Sequence, residues 1–185
     1  KFNDIEIKKL DLELFKSKLA LNGKIKNLDT PDDMFIDASI VNSTIQTDDI
    51  KKLLPFIDFP FKKNMEFEEL NAQFYGNPIN FESQISSIYN EGFIEASASL
   101  DLRKRDMIYD VYVDARRIDV SPITGSPGII NAKMTVKGSG TDPAAMQNYA
   151  RLNVFDSYLD LIEIDSLSLN MESAMKIVNL DVLAG

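Results

Sequence analysis

The chain has 185 residues, no Cys, no His, no Trp, and a formal net charge of -9 from 29 acidic and 20 basic residues. Without Cys there are no disulfides, thiolate metal sites or thiol nucleophiles, and without His the commonest general base and imidazole ligand are gone. The acidic balance argues against a nucleic-acid partner, whose phosphates need a clustered positive field.

In chain order, the first signal is an apolar phase that slips: Ile5 and Ile7 precede Leu10, Leu12 and Leu14. Leu19, Leu21 and Ile25 then share one phase, with Lys18, Asn22, Lys24 and Lys26 on the other. After the turn residues Asp29-Thr30-Pro31-Asp32-Asp33, Ile36 to Ile40 alternates again, and Val41 breaks the phase. Alternation with period two places apolar side chains on one face of a strand, and a slip within it predicts a bulge that bends and twists the strand. Thr47 is expected to cap a short helix over Asp48–Leu54, with acids at its positive end and Pro55 ending it.

Turn residues at Gly76-Asn77-Pro78 and Asn90-Glu91-Gly92 bracket another strand carrying Ile79, Phe81 and Ile85. Alternation returns at Ala96–Leu102, Val111–Ala115, Ile130–Lys137, Leu167–Met171 and Val178–Val182. Ser121-Pro122-Ile123 and Asp142–Met146 suggest single helical turns. Continuous apolar runs, the mark of parallel strands covered on both faces, are missing, so the sheet should be mostly antiparallel.

These elements imply an all-β fold of about ten strands with one or two short helices. At ~4.8 Å per strand, such a sheet is far wider than one helix ~10 Å across can cover. An uncovered apolar face would exceed the few hundred Å² a soluble monomer exposes. The expected fold is therefore a strongly curved sheet, either an open groove with an apolar lining or a filled β-sandwich or barrel. Periodicity alone leaves both open.

The residues also carry a resemblance. The segments Phe74–Phe81, Ile88–Ile94, Leu100–Leu102, Ile108–Val113, Arg117–Val120 and Ala132–Pro143, with Leu21–Leu28, Ser43–Ile50 and Leu53–Pro55 upstream, resemble the repetitive middle region of TamB- and AsmA-like envelope proteins of didermal bacteria. The resemblance covers most of the chain and is one of pattern, with no single diagnostic motif. It implies a long periplasmic β-groove, taco-shaped, in a parent protein anchored in the inner membrane. It also implies phospholipid transfer between the membranes and outer-membrane biogenesis, and docking onto an outer-membrane assembly barrel through regions outside this segment. The chain begins at Lys1 without a signal peptide, and residues 1–185 are expected to form one β-rich segment of a longer repetitive protein.

On this expectation the lipid-groove lining begins with Leu19, Leu21, Ile25, Ile36 and Ile40, then Ile79, Phe81 and Ile85. Ile94, Leu100, Leu102, Val111 and Val113 continue it, followed by Met134, Val136, Leu167 and Leu169. The same residues would serve equally as the packed core of a β-sandwich binding or adhesion module. The partner expected is the phospholipid acyl chain, with no nucleic acid, no cofactor, no metal and no catalytic residue. Gly138-Ser139-Gly140 lacks the third Gly and the Lys of a phosphate loop. Asp48 and Asp49 suit a helix N-terminus better than a metal, and Asp160, Glu163 and Asp165 lack the surrounding loop of a calcium site. Arg103-Lys104-Arg105 reads as a solvated turn, and Asn42-Ser43-Thr44, although a glycosylation sequon, falls in a strand. Tyr109 and Tyr112 fall on opposite faces, which weakens a stacking platform.

Overall fold

The structure, a computed structural model, describes residues 3–103, 106–140, 146–174 and 177–185. Eleven strands form one antiparallel sheet in strict sequence order. They are β1 (Ile5–Leu14), β2 (Ser17–Lys26), β3 (Phe35–Gln46), β4 (Glu66–Asn77), β5 (Asn80–Tyr89) and β6 (Gly92–Asp101). Then come β7 (Ile108–Asp119), β8 (Gly128–Ser139), β9 (Gln147–Leu159), β10 (Ile162–Ala174) and β11 (Ile177–Ala184). β1 and β11 are the edges, and the sheet does not close into a barrel. The sequence suggests about ten strands, and the structure has eleven.

Among the described residues, helix is confined to α1 (Thr47–Leu53), α2 (Ser121–Thr124) and a 3-10 turn at Pro31–Asp33. Thr47, expected as the cap of α1, is instead its first residue, and Gln46 occupies the cap position in extended conformation without a side-chain cap bond. The Thr47 hydroxyl is used elsewhere, accepting the Met65 N–H at 2.8 Å. The Ser121 turn is present as α2, whereas the turn expected at Asp142 lies outside the described residues, as do Lys104 and Arg105.

Because the strands meander, every odd-numbered strand finishes at the same end of the sheet, and both helices follow odd-numbered strands there. The segment after α1 crosses this end to α2: the backbone N–H of Lys62 bonds the Pro122 carbonyl at 2.6 Å and its Nζ bonds the Thr124 carbonyl at 2.6 Å. Phe59 and Phe61 stack along it at 6.0 Å.

The phase slips are bulges. The register shifts between Ile7 and Leu10 on β1 and between Ile40 and Ser43 on β3, as the sequence indicated. Further shifts fall between Glu68 and Asn71, Ala115 and Ile118, and across Ile129 and Asn131. Four non-glycine residues near the shifts have positive φ: Asn42 (43°), Glu69 (48°), Arg117 (53°) and Asp156 (41°). L-residues enter that region at a cost, so something must hold them. Two asparagines do. Asn71 Oδ1 accepts the Asn42 N–H at 3.0 Å while its Nδ2 donates to the Glu69 carbonyl at 2.8 Å. Asn131 Oδ1 accepts the Arg117 N–H at 2.8 Å while its Nδ2 donates to the Asp156 carbonyl at 2.6 Å. Each clip joins two bulges, so the bending is built in twice, once through β3–β4 and once through β7–β9.

The buried core lies toward the same end. Among the described residues, Met65, Leu70, Tyr89 and Val154 are the buried hydrophobic side chains. The two largest fully buried side chains are polar, Thr47 and Asp49. The total accessible surface is 12169 Å², against about 9,000 Å² for an ordinary globular monomer of this mass. The excess is what a broad single sheet without a second layer produces.

Candidate functional site: the apolar face of the sheet

Residues paired across antiparallel strands project to the same face, so registers can be followed from strand to strand. One line of partners crosses the whole sheet: Leu10, Leu21, Ile40, Ala72, Ile85, Ala96, Val113, Met134, Leu152, Leu169 and Val182. Every member is apolar. Two residues along, Ile7, Gly23, Ala38, Phe74, Ser83, Ala98, Val111, Val136, Ala150, Met171 and Leu180 form a parallel line with a single hydroxyl. None of the residues in these two lines is buried. At ~4.8 Å per strand each line runs about 48 Å.

The flanking lines extend the face. Ile25, Ile36, Gly76, Phe81, Leu100 and Tyr109 lie on one side, although the line turns polar at Asn148 and Ser173. On the other side Ser87, Ile94, Ala115, Ala132, Val154, Leu167 and Ala184 continue it, with Leu12 and Leu19 paired at the β1 edge. Phe74 and Phe81 stack at 4.8 Å within the face. Gly76 adopts φ 135° here, and a Cβ would lie 2.4 Å from the Asn80 carbonyl oxygen, so only glycine fits between Ile36 and Phe81.

Of the lining residues expected from sequence, fifteen lie in strands on this face: Leu19, Leu21, Ile25, Ile36, Ile40, Phe81, Ile85, Ile94, Leu100, Val111, Val113, Met134, Val136, Leu167 and Leu169. Ile79 and Leu102 do not. Ile79 sits in the β4–β5 turn and Leu102 just past β6, where the Leu102 N–H bonds the Ile79 carbonyl at 2.7 Å. They border the face at the end opposite the helices. Phe74, Ala98, Leu152 and Met171 also belong to the face and were not among the residues expected; Phe74 and Leu152 lie in β4 and β9, whereas Ala98 and Met171 lie within the alternating runs of β6 and β10.

The opposite face is polar. Asn22, Ser39, Gln73, Gln84, Ser97, Tyr112, Thr135, Arg151, Asn170 and Asp181 form a line across ten strands. Tyr109 and Tyr112 do fall on opposite faces. Within the polar face Asp114 is buried and bonded by Arg116 Nε at 3.1 Å and Nη2 at 2.7 Å, with Lys133 Nζ at 3.5 Å. The Arg116 bond and charge, assisted by Lys133, outweigh desolvation and hold this carboxyl below the usual carboxylate range.

The end of the apolar face near the helices is locked by a polar cluster. Asp49 Oδ2 accepts the backbone N–H groups of Lys16 and Ser17 at 3.0 Å each and the Ser17 hydroxyl at 2.9 Å, while Lys52 bonds Oδ1 at 3.1 Å. Burial favours the neutral acid, but these donors and the Lys52 charge overcome it and lower the Asp49 pKa. The sequence assigned Asp49 to the helix N-terminus; its main partners are instead the residues that open β2, 32 and 33 positions away.

The site thus offers an extended apolar surface, polar at its back and held at one end, with no convergent set of reacting groups on that face among the described residues. No family model, no curated protein and no solved structure matches the chain.

Proposed function

We propose that this chain is a segment of a TamB/AsmA-like envelope protein whose apolar sheet face carries phospholipid acyl chains between the inner and outer membranes. The observation that carries the proposal is the pair of apolar lines crossing all eleven strands with no buried residue in either. Each CH₂ laid on such a surface gains about 0.8 kcal/mol relative to water. A line of similar side chains at every strand provides no deep trap, so a chain can slide along it while its headgroup stays hydrated. This function needs no catalytic group. On this reading the segment works in the periplasm, its parent is held in the inner membrane, and contact with an outer-membrane assembly barrel falls to other parts of that parent.

A packed β-sandwich module is less well supported, because its inner-face side chains would be buried, whereas these are not. Native mass spectrometry of the chain purified from a didermal host is the test. The expected spectrum contains phospholipid adducts that are lost when Val113 and Val136 are replaced together by Asp. Lipid-free protein, or adducts indifferent to that change, would contradict the proposal.

A further inference from the structure

We infer that the segment between α1 and β4 is a membrane-contact loop, which seats an apolar tip in the interface of a bilayer bearing anionic headgroups. The inference stands apart from lipid carriage, since a surface can bind a bilayer without moving its lipids. The segment leaves the end of β3 through α1 and reaches α2, beyond β7, so it lies within the width of the sheet and neither edge strand bears on it.

The sequence has a plan. Lys51-Lys52-Leu53-Leu54-Pro55-Phe56-Ile57-Asp58-Phe59-Pro60-Phe61-Lys62-Lys63 sets an apolar run, interrupted only by Asp58, between two lysine pairs. Four lysines stand against that one acid, in a chain whose formal net charge is -9. Lys62 and Lys63 form no ion pair among the described residues. The Lys62 and Lys51 ammonium groups bond neutral carbonyls, those of Thr124 at 2.6 Å and Phe61 at 2.8 Å, and Lys51 reaches Asp48 only at 3.7 Å. Lys52, by contrast, is taken up by Asp49 at 3.1 Å. The charge at the root of the loop is therefore still available to an anion.

The structure sorts the apolar residues into two sets. Leu54, Phe59 and Phe61 are half-buried, and the two phenylalanines stack. Leu53, Phe56 and Ile57 point out, 50%, 80% and 43% exposed. The outermost positions of a connection ordinarily carry small or polar residues; this one displays a phenylalanine. Its neck is pinned. The Thr47 N–H donates to the Met65 carbonyl at 2.9 Å, the Met65 N–H to the Thr47 hydroxyl at 2.8 Å, and the Asp48 N–H to Asn64 Oδ1 at 3.0 Å. The tip is thus presented already ordered, which lowers the entropic cost of contact.

Chemistry selects the occupant. Pro55 and Pro60 each lack an N–H, and residues 54–65 form neither strand nor helix, so the loop is unsuited to strand addition on a sheet edge or to docking as an amphipathic helix. An apolar tip with lysines at both roots matches a bilayer interface instead. There, apolar side chains sink about 5–10 Å into the headgroup–acyl boundary while lysine stems extend and keep their ammonium groups at the phosphates. The acidic remainder of the chain is screened beyond ~8 Å at physiological salt.

The test uses the whole chain with phosphatidylcholine vesicles, with and without phosphatidylglycerol. Because the chain has no tryptophan, Phe56→Trp supplies a single reporter. Its emission should shift to the blue on the mixed vesicles and be quenched by brominated acyl chains, whereas Tyr112→Trp, on the polar face, should show neither. Replacing Phe56 and Ile57 together by Ser should lower the partition coefficient about tenfold with an unchanged circular dichroism spectrum. Lys63→Gln should lower it about fivefold on the mixed vesicles and leave binding to phosphatidylcholine alone unchanged. Binding that survives the double Ser replacement would put the contact on another surface and overturn the inference. So would a Phe56→Trp emission indifferent to vesicles, or one already blue in buffer that moves to the red on dilution, the mark of self-association. Loss of vesicle binding with lipid adducts retained separates this loop from lipid carriage.

Discussion

Two regions of the sheet reverse the usual division of burial. At the helix end, polar groups are the most deeply enclosed: Thr47 is 1% exposed and Asp49 2%. Across the middle, apolar lines of eleven residues contain not one buried member. In an ordinary domain the apolar residues hold the fold together and the polar ones face water. Here, fold-holding work is concentrated in a small clamp of hydrogen bonds and a few buried apolar side chains, and the broad greasy surface is left available. The comparison teaches that alternation alone does not imply a core; what matters is whether anything is packed on the apolar side.

Substitutions can break this contrast, beginning with the largest effect. Asp49→Ala leaves the N–H groups of Lys16 and Ser17 without their acceptor and removes the partner of Lys52, and should lower the thermal midpoint more than any single truncation on the open face. Leu70→Ala, at a buried site of the apolar face near the helices, should cost about 3 kcal/mol in urea unfolding. Acidification acts on the same clamp. Asp49 and Asp114 both have depressed pKa values in the fold, so the stability they confer is complete above the ordinary carboxylate value of about 3.9 and is lost as pH falls through their folded values. A denaturant midpoint followed from pH 6 downward should therefore fall in acid, and replacing both residues with Asn should flatten that fall.

Smaller effects sharpen the picture. Asn131→Ala opens the clip between Arg117 and Asp156 and should cost about 1–2 kcal/mol, with faster amide exchange confined to the bulges of β7 and β9. Leu21→Ala, the same chemistry as Leu70→Ala but on the open face, should cost only about 1 kcal/mol because the side chain is half-exposed. Equal costs at Leu21 and Leu70 would mean that the face is packed in solution.

Much of this architecture was legible in the chain. Strong alternation marked β3, β6, β7, β8, β10 and β11, and the phase slips at Ile7–Leu10 and Ile40–Val41 marked two bulges, because period two is a local property. The rest depended on distant partners. Positive φ at Glu69 and Arg117 has no local signal, since neither is Gly or Asn; it is sustained by the clips through Asn71 and Asn131. The clamp role of Asp49 needs Ser17, which its own helix does not reveal. Ile79 and Leu102 matched the apolar phase but fell just beyond strand ends, where alternation no longer defines a face.

The central claim is that the open apolar face holds lipid, and neighbouring positions on one strand test it most directly. A photo-crosslinking residue at Val113 in living cells should capture phospholipid, while the same residue at Tyr112, one position away and on the polar face, should capture little. Capture at both positions alike, or at neither, would contradict the account.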